Sequence, residues 1–273
     1  MDQGQSLGEQ GCELSDDVNE LPDQPEAKAD PMADDRPRAP PSRGVFLLPN
    51  LITTGALFSG FYAIVAAAHG DFALASTAVF VAMVLDAADG RVARLTRTES
   101  NFGAQYDSLS DMVAFGVAPG MLAFFWGLTS LGKLGWAATF VYTACAALRL
   151  ARFNVAPDNS SFTGLASPSA AAIVAGSVWV LQDLRIGPSS GPAIGYVACF
   201  VLVALGLLMV SNLTYFSPKK ITVKGRVPFV SMVALVLLFA VLLIDPPRVL
   251  LGLFVLYALS GPAGYFWKRA RTK

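Results

Sequence analysis

The stretch Asp86–Asp111, DAADGRVARLTRTESNFGAQYDSLSD, carries four aspartates in two pairs, Asp86 with Asp89 and Asp107 with Asp111. Spacings of i,i+3 and i,i+4 put each pair on one face of a helix. The apolar run FALASTAVFVAMVL precedes the stretch, and its last residues open a second run, MVAFGVAPGMLAFFW. Both pairs therefore belong to helices suited to hydrocarbon, and the fold class read from them is all-α and membrane-embedded. An ionised carboxylate at membrane depth is costly unless it is paired, coordinated or hydrated, so such residues mark function by default. Oxygen ligands without His or Cys suit hard divalent cations, Mg²⁺ or Mn²⁺. Four carboxylates suffice for two such ions, the arrangement used in phosphoryl-type transfer.

The residues between the pairs fit that chemistry. At about 100° per residue, Asp89, Gly90, Ala93, Arg94 and Arg97 all project within roughly 80° of Asp86. One helix face is thus carboxylate, small residue and guanidinium. Small residues let a ligand approach the backbone, and Arg94 offers a fork of donors for phosphate. Gly103, Asp107 and Asp111 follow one another at single-turn spacing on the next helix. Two such faces apposed make a polar cleft for metals and phosphates.

Asp86, Asp89-Gly90, Ala93-Arg94, Gly103, Asp107 and Asp111 reproduce D-x-x-D-G-x-x-A-R-x8-G-x-x-x-D-x-x-x-D at each fixed residue and each gap. In this the chain resembles the CDP-alcohol phosphatidyltransferases. The resemblance implies a six-helix catalytic core, two divalent cations held by Asp86, Asp89, Asp107 and Asp111, and Asp111 as the base acting on the acceptor hydroxyl. It implies further that Gly90, Ala93, Arg94 and Gly103 border the CDP moiety. A Pro-Asn-x-x-Thr sequence at Pro49–Thr53 places Asn50 and Thr53 beside the same nucleotide site; read from the residues alone, these polar groups are equally suited to capping the first helix.

Composition agrees with a polytopic membrane enzyme: 54% of the 273 residues are hydrophobic and 15% are charged. Membrane spans are expected at about Leu47–Ala68, Phe72–Leu95, Ala104–Leu128, Leu134–Phe153, Ser169–Leu184, Ala193–Ser211, Phe229–Ile244 and Val249–Phe266, each compared with about 30 Å of hydrocarbon. The organisation expected is an acidic, disordered extension over 1–43, rich in Asp, Glu, Gln, Pro and Gly, a six-span catalytic core over 44–216, and then a basic loop, two further transmembrane helices and a basic tail over 217–273. The stretch APDNSSFTGLASPSAA after the fourth span reads as a non-helical cover for the site. No apolar run follows a basic start, so the beginning does not read as a signal peptide. Cys12, Cys145 and Cys199 are too scattered for a disulfide framework or a zinc site. His69, the single histidine, falls in a tight turn and reads as a solvated surface residue. Seventeen of the twenty Lys and Arg residues lie in the segments on the signature side, leaving Lys133, Arg185 and Arg248 opposite. That asymmetry points the site and both termini towards the cytoplasm, as in a bacterial inner membrane.

Within the family, DSLSDMVAFGVAPG, ALRLARFNV, FTGLASPSAA and LMVSNLTYFSPK are similar to the members that transfer a phosphatidyl group from CDP-diacylglycerol to L-serine and release CMP. Ala166 departs from them, since many carry Pro there. Members that use choline share the fold and the signature, but choline needs aromatic faces, whereas an amino acid needs a carboxylate site. Arg149, Arg152 and Asn154 at the end of the fourth span suit that carboxylate, although two arginines there are also ordinary positive-inside anchors. The partners implied are CDP-diacylglycerol, L-serine, membrane lipids and a second copy of the chain, with no nucleic acid. A cation-coupled transporter is the reading from another class; it calls for midplane carboxylates and repeated halves, and no repeat is visible.

Overall fold

In the computed structural model, the described residues are 47–96, 98, 100–155, 164–187, 192–213, 215 and 229–271, with backbone alone at 192, 229–232, 234–235, 238–239 and 265–271. The acidic extension, Arg97, Glu99, residues 156–163 of the expected cover and the basic loop over 216–228 lie outside them. Helices occupy all eight expected positions: α1 (Leu47–His69), α2 (Phe72–Thr96), α3 (Asn101–Leu131), α4 (Lys133–Val155), α5 (Ser167–Asp183), α6 (Pro192–Val210), α7 (Phe229–Ile244) and α8 (Pro246–Arg271). No strand occurs among the described residues. The protein is an all-α polytopic membrane protein.

Six helices are long and apolar enough to cross a membrane, namely α1, α2, α3, α4, α6 and the Pro246–Gly264 part of α8. Helix α5 has 17 residues, about 25 Å of rise, and is packed against α2, α3, α6 and α8. It is buried along most of its length, from Ser167 to Val178, which makes it the central post of the bundle. Helix α7 has 16 residues. Both are shorter than the about 20 residues of a full span.

The interior is built from small side chains. Ala63, Ala66, Ala67, Ala75, Ala78, Ala82, Ala114, Ala118, Ala171 and Ala175 form one core cluster across α1, α2, α3 and α5. Large apolar residues such as Phe58, Phe140, Phe200 and Val84 are exposed instead. This distribution follows from the solvent: lipid tails are as apolar as leucine, so helices associate through close packing and hydrogen bonds rather than by burying bulk. Gly60 shows how close the approach is, because a Cβ there would lie 2.7 Å from the Ala114 Cα. Ser59 Oγ donates to the Ala78 carbonyl at 2.7 Å and ties α1 to α2.

Two helix starts beside the site differ from the sequence reading, each for a local reason. Helix α3 starts at Asn101 rather than Ala104, because Ser100, in extended conformation, caps it by accepting from the Gly103 N–H at 3.0 Å. Helix α5 starts at Ser167, inside the stretch expected to be loop, because Pro168 suits the first turn of a helix. Ala166 has φ −62°, a value proline also adopts, so the departure at that position leaves the backbone in the proline-compatible form. Helix α3 is not uniform either. Its α-helical parts, Asn101–Asp111 and Ala118–Ala123, alternate with wide π-helical turns at Met112–Val117 and Phe124–Leu128.

The first wide turn has an identifiable support. Pro119 lacks the N–H that would bond the Phe115 carbonyl in an α-helix. That carbonyl instead accepts from the Tyr142 hydroxyl of α4 at 3.1 Å, and Tyr142 is fully buried. Thr143 Oγ1 donates to the adjacent Gly116 carbonyl at 3.4 Å. Wide turns of this kind are frequent at functional sites, and this one begins at the residue after Asp111.

Candidate active site

The site gathers at one end of the bundle, where the start of α1, the end of α2, the start of α3, the end of α4 and the start of α5 meet. Asp86, Asp89 and Asp107 each offer a carboxylate oxygen, and those oxygens lie within 4.8 Å of one another. Asp111 lies outside that threesome but near enough to Asp86 to interact with it. The two faces expected from the helical spacing are therefore apposed.

Around the carboxylates the first turns of α1 act as a brace. Asp89 is buried at 4% exposure and accepts from Thr53 Oγ1 at 2.6 Å. The Thr53 carbonyl accepts in turn from Ser110 Oγ at 3.2 Å, so one residue of α1 fixes both signature helices. Next to it Thr54 Oγ1 and the Tyr106 hydroxyl are 2.9 Å apart.

The donor set fits divalent cations. Asp107 Oδ1 is buried and has no hydrogen-bond partner. Among the described residues no Lys or Arg lies within 4.0 Å of any of the four carboxylates. Buried acidic charge without a basic partner is strongly unfavourable, and several carboxylate oxygens converging on one point are what a hard cation takes as ligands.

Beside the carboxylates opens a cleft of about 590 Å³. Asn50, Thr53, Gly90, Ala93, Arg94 and Gly103 all line it together with Asp89 and Asp107, so the structure brings the six expected nucleotide-side residues to one place. A Cβ on Gly90 would meet only the Arg94 guanidinium, 4.0 Å away. Nothing in the chain requires glycine there; the space it leaves belongs to the cleft. Thr98, Ser100, Asn101 and Phe153 also line it and were not singled out from sequence. They carry no spacing signal, since loop residues and a helix end enter the wall only through the packing of α2, α3 and α4.

The three residues expected to bind an acceptor carboxylate separate. Arg149 donates from Nη1 to Ser167 Oγ at 2.6 Å and lies close enough to Asp111 to interact electrostatically. Its Nε is buried without a partner, and no carboxylate lies within 4.0 Å among the described residues. Arg152, one turn on, faces the end of α6 and donates to the Val210 carbonyl and Asn212 Oδ1, both at 3.3 Å. Asn154 is paired with Ser108, between Asp107 and Asp111 in sequence, at 3.1 Å. Ser167 reaches Arg149 because the segment before α5 is laced to the end of α6. Gly164 N–H donates to Leu213 O at 2.9 Å and Leu165 N–H to Leu208 O at 3.0 Å. Gly164 has φ +84°, and a Cβ there would lie 2.3 Å from the Met209 carbonyl, so the lacing needs glycine. His69, exposed and bonded through Nδ1 to the Val65 carbonyl, is at the far end of α1, about 28 Å along the helix from Asn50.

Comparison with known proteins agrees with this arrangement. The family model for CDP-alcohol phosphatidyltransferase matches residues 46–210. A Helicobacter pylori protein named CDP-diacylglycerol–serine O-phosphatidyltransferase is 36% identical over 222 residues, 80% of this chain and 92% of its own. Proteins of the same name from Methanocaldococcus jannaschii and Mycobacterium leprae are 31% identical over 188 residues (68% of this chain, 82% of theirs) and 29% identical over 229 residues (81% and 75%). The matched segment contains the four aspartates, the brace at Thr53 and the cleft wall, and the chain belongs to the CDP-alcohol phosphatidyltransferase family.

Proposed function

We propose that the protein transfers the phosphatidyl group of CDP-diacylglycerol to the hydroxyl of L-serine, forming phosphatidylserine and CMP. The observation that carries the acceptor choice is Arg149: a guanidinium near Asp111 with a free buried donor and no carboxylate partner among the described residues. A guanidinium fork suits a carboxylate ligand. Choline, by contrast, calls for several aromatic faces, and among the described residues Phe153 is the one aromatic side chain lining the cleft. The names of the similar proteins support the same acceptor.

In this reading the CDP end of the donor lies in the cleft, with Asn50, Thr53 and Arg94 on its polar groups and Gly90 and Gly103 leaving room for its diphosphate. The acyl chains remain in the bilayer. Asp86, Asp89, Asp107 and Asp111 hold two divalent cations, Mg²⁺ or Mn²⁺, which when bound neutralise the diphosphate, stabilise the leaving group and acidify the attacking hydroxyl. The serine hydroxyl oxygen forms a bond to the phosphorus that carries the diacylglycerol. The bond from that phosphorus to the bridging oxygen breaks, and CMP leaves with the electron pair. The hydroxyl proton passes to Asp111. Arg149 holds the serine carboxylate so that the hydroxyl is turned towards that phosphorus. Arg152 holds the end of α4 against α6, and Asn154 steadies the start of α3 through Ser108. The site faces the cytoplasm, with both termini on that side, in the inner membrane of a bacterium, and the working assembly is a homodimer.

The test is release of CMP by purified protein from CDP-diacylglycerol with L-serine, choline, glycerol 3-phosphate or inositol as acceptor. Turnover with serine alone is expected; preference for another alcohol would overturn the acceptor, and no CMP release with any of them would overturn the reaction.

A further inference from the structure

Helix α8 lies beyond the segment matched by the family, which ends at residue 210, yet it reaches the acceptor side of the site. Its Ala258 is buried in the same core cluster as Tyr142, Leu165, Val174 and Met209. Docking is specific: the Tyr215 hydroxyl donates to the Ala258 carbonyl at 3.4 Å, and Gly261 admits the Tyr215 ring, which a Cβ would approach to 2.4 Å. The next ring on that surface is Tyr257, 5.6 Å from Tyr215 between centroids. The two rings are tilted at 36° to one another, so Tyr257 packs on Tyr215.

Tyr257 is partly buried and packs against the core cluster that holds Cys145 and Ala146, one turn before Arg149 on α4; the two groups interact electrostatically, and no hydrogen bond joins them. Among the described residues that hydroxyl has no hydrogen-bond partner. Two polar groups from different helices, Arg149 with an unpartnered Nε and Tyr257 with an unpartnered hydroxyl, therefore neighbour one another without being bonded to each other. Both are donors, and the ligand that satisfies two donors at once is a small oxyanion.

We propose that Tyr257 is a specificity-determining residue: its hydroxyl and the Arg149 guanidinium together bind the carboxylate of the acceptor amino acid, so that α8 completes the acceptor subsite. The inference rests on the serine reading above. It adds that the acceptor subsite is built partly outside the matched segment, whereas the cleft that takes the nucleotide lies wholly inside it.

Tyr257→Phe keeps the ring and its packing on Tyr215 and removes the hydroxyl alone. Steady-state kinetics on the full chain should show the KM for L-serine rising about tenfold, the scale of one lost hydrogen bond to a charged group. The KM for CDP-diacylglycerol and the thermal midpoint in detergent should be unchanged. Serinol, which has the hydroxyl and the amine but no carboxylate, should be used equally by variant and wild type. Tyr215→Phe is the control for helix docking and should leave the serine KM alone. An unchanged serine KM in Tyr257→Phe, or an equal loss with serinol, would overturn the proposal. Failure of wild-type protein to use serine would instead overturn the function itself, and that result is read from the wild type before any variant is made.

Discussion

Asp107 gives the metal assignment its sharpest test, because its Oδ1 is buried with no partner while its neighbours are partly satisfied by one another and by Thr53. EDTA should abolish CMP release, and Mg²⁺ or Mn²⁺ should restore it. Cation binding to the folded state alone also raises stability, by about 2.7 kcal/mol at a concentration one hundred times Kd. The thermal midpoint of wild type should therefore rise with added Mg²⁺, and that rise should shrink in Asp107→Asn along with activity. A midpoint indifferent to Mg²⁺ in the wild type would remove the cation from the site. Asp111→Asn should behave differently, keeping affinity for CDP-diacylglycerol while losing transfer; loss of donor binding as large as in Asp89→Asn would make Asp111 chiefly a ligand. On the acceptor side, Arg149→Ala should raise the serine requirement at least about tenfold, since truncating one partner of a buried charged contact costs about 2–5 kcal/mol. Arg152→Ala should act mainly on stability, because among the described residues it donates to the Val210 carbonyl of α6 and to Asn212 just past that helix.

At the scale of an element, α3 departs furthest from what its apolar run implies. A uniform α-helix through Pro119 would leave the Phe115 carbonyl without a donor; the wide turn and the Tyr142 hydroxyl answer for it. Tyr142→Phe strips that partner from a buried carbonyl and should destabilise the protein by about 1–3 kcal/mol. Thermal unfolding in detergent measures the loss, and unchanged stability would mean that the carbonyl is satisfied within the helix. The contact between α1 and α3 is tight in a second way. Gly60→Ala places a Cβ 2.7 Å from the Ala114 Cα, a clash with backbone that only a shift of a whole helix relieves, at a cost of about 1–3 kcal/mol. Because α1 also carries Thr53, such a shift should weaken activity together with stability.

For the whole molecule the excess of Lys and Arg on the signature side predicts the orientation. Cysteines placed singly at Ser100, beside the cleft, and at Lys133, the first residue of α4, mark opposite ends of α3. In a background without Cys12, Cys145 and Cys199, an impermeant thiol reagent added to intact cells should label position 133 and spare position 100. The reverse pattern would place the site outside and leave the distribution of Lys and Arg unexplained.

Periodicity along the chain was enough to determine the membrane class, the helix positions and the pairing of the aspartates. Spacing within one helix decides which side chains share a face, and length decides what can cross a bilayer. The resemblance carried by Asp86 to Asp111 added the residues expected on a nucleotide side, and Asn50 and Thr53, some forty residues upstream of Asp89, line one cleft with Gly90, Ala93, Arg94 and Gly103. What neighbouring residues do once helices pack was decided by the tertiary structure. Arg149 and Arg152 are i,i+3 and look equivalent in sequence, but one faces Ser167 and Asp111 and the other the end of α6. The wide turn after Asp111 depends on a hydroxyl from α4, and the place of Tyr257 depends on the docking of α8 against Tyr215. Each is a contact between segments far apart along the chain. Such contacts are set by which small side chains let two backbones meet, a property of a pair of surfaces that no single stretch of sequence contains.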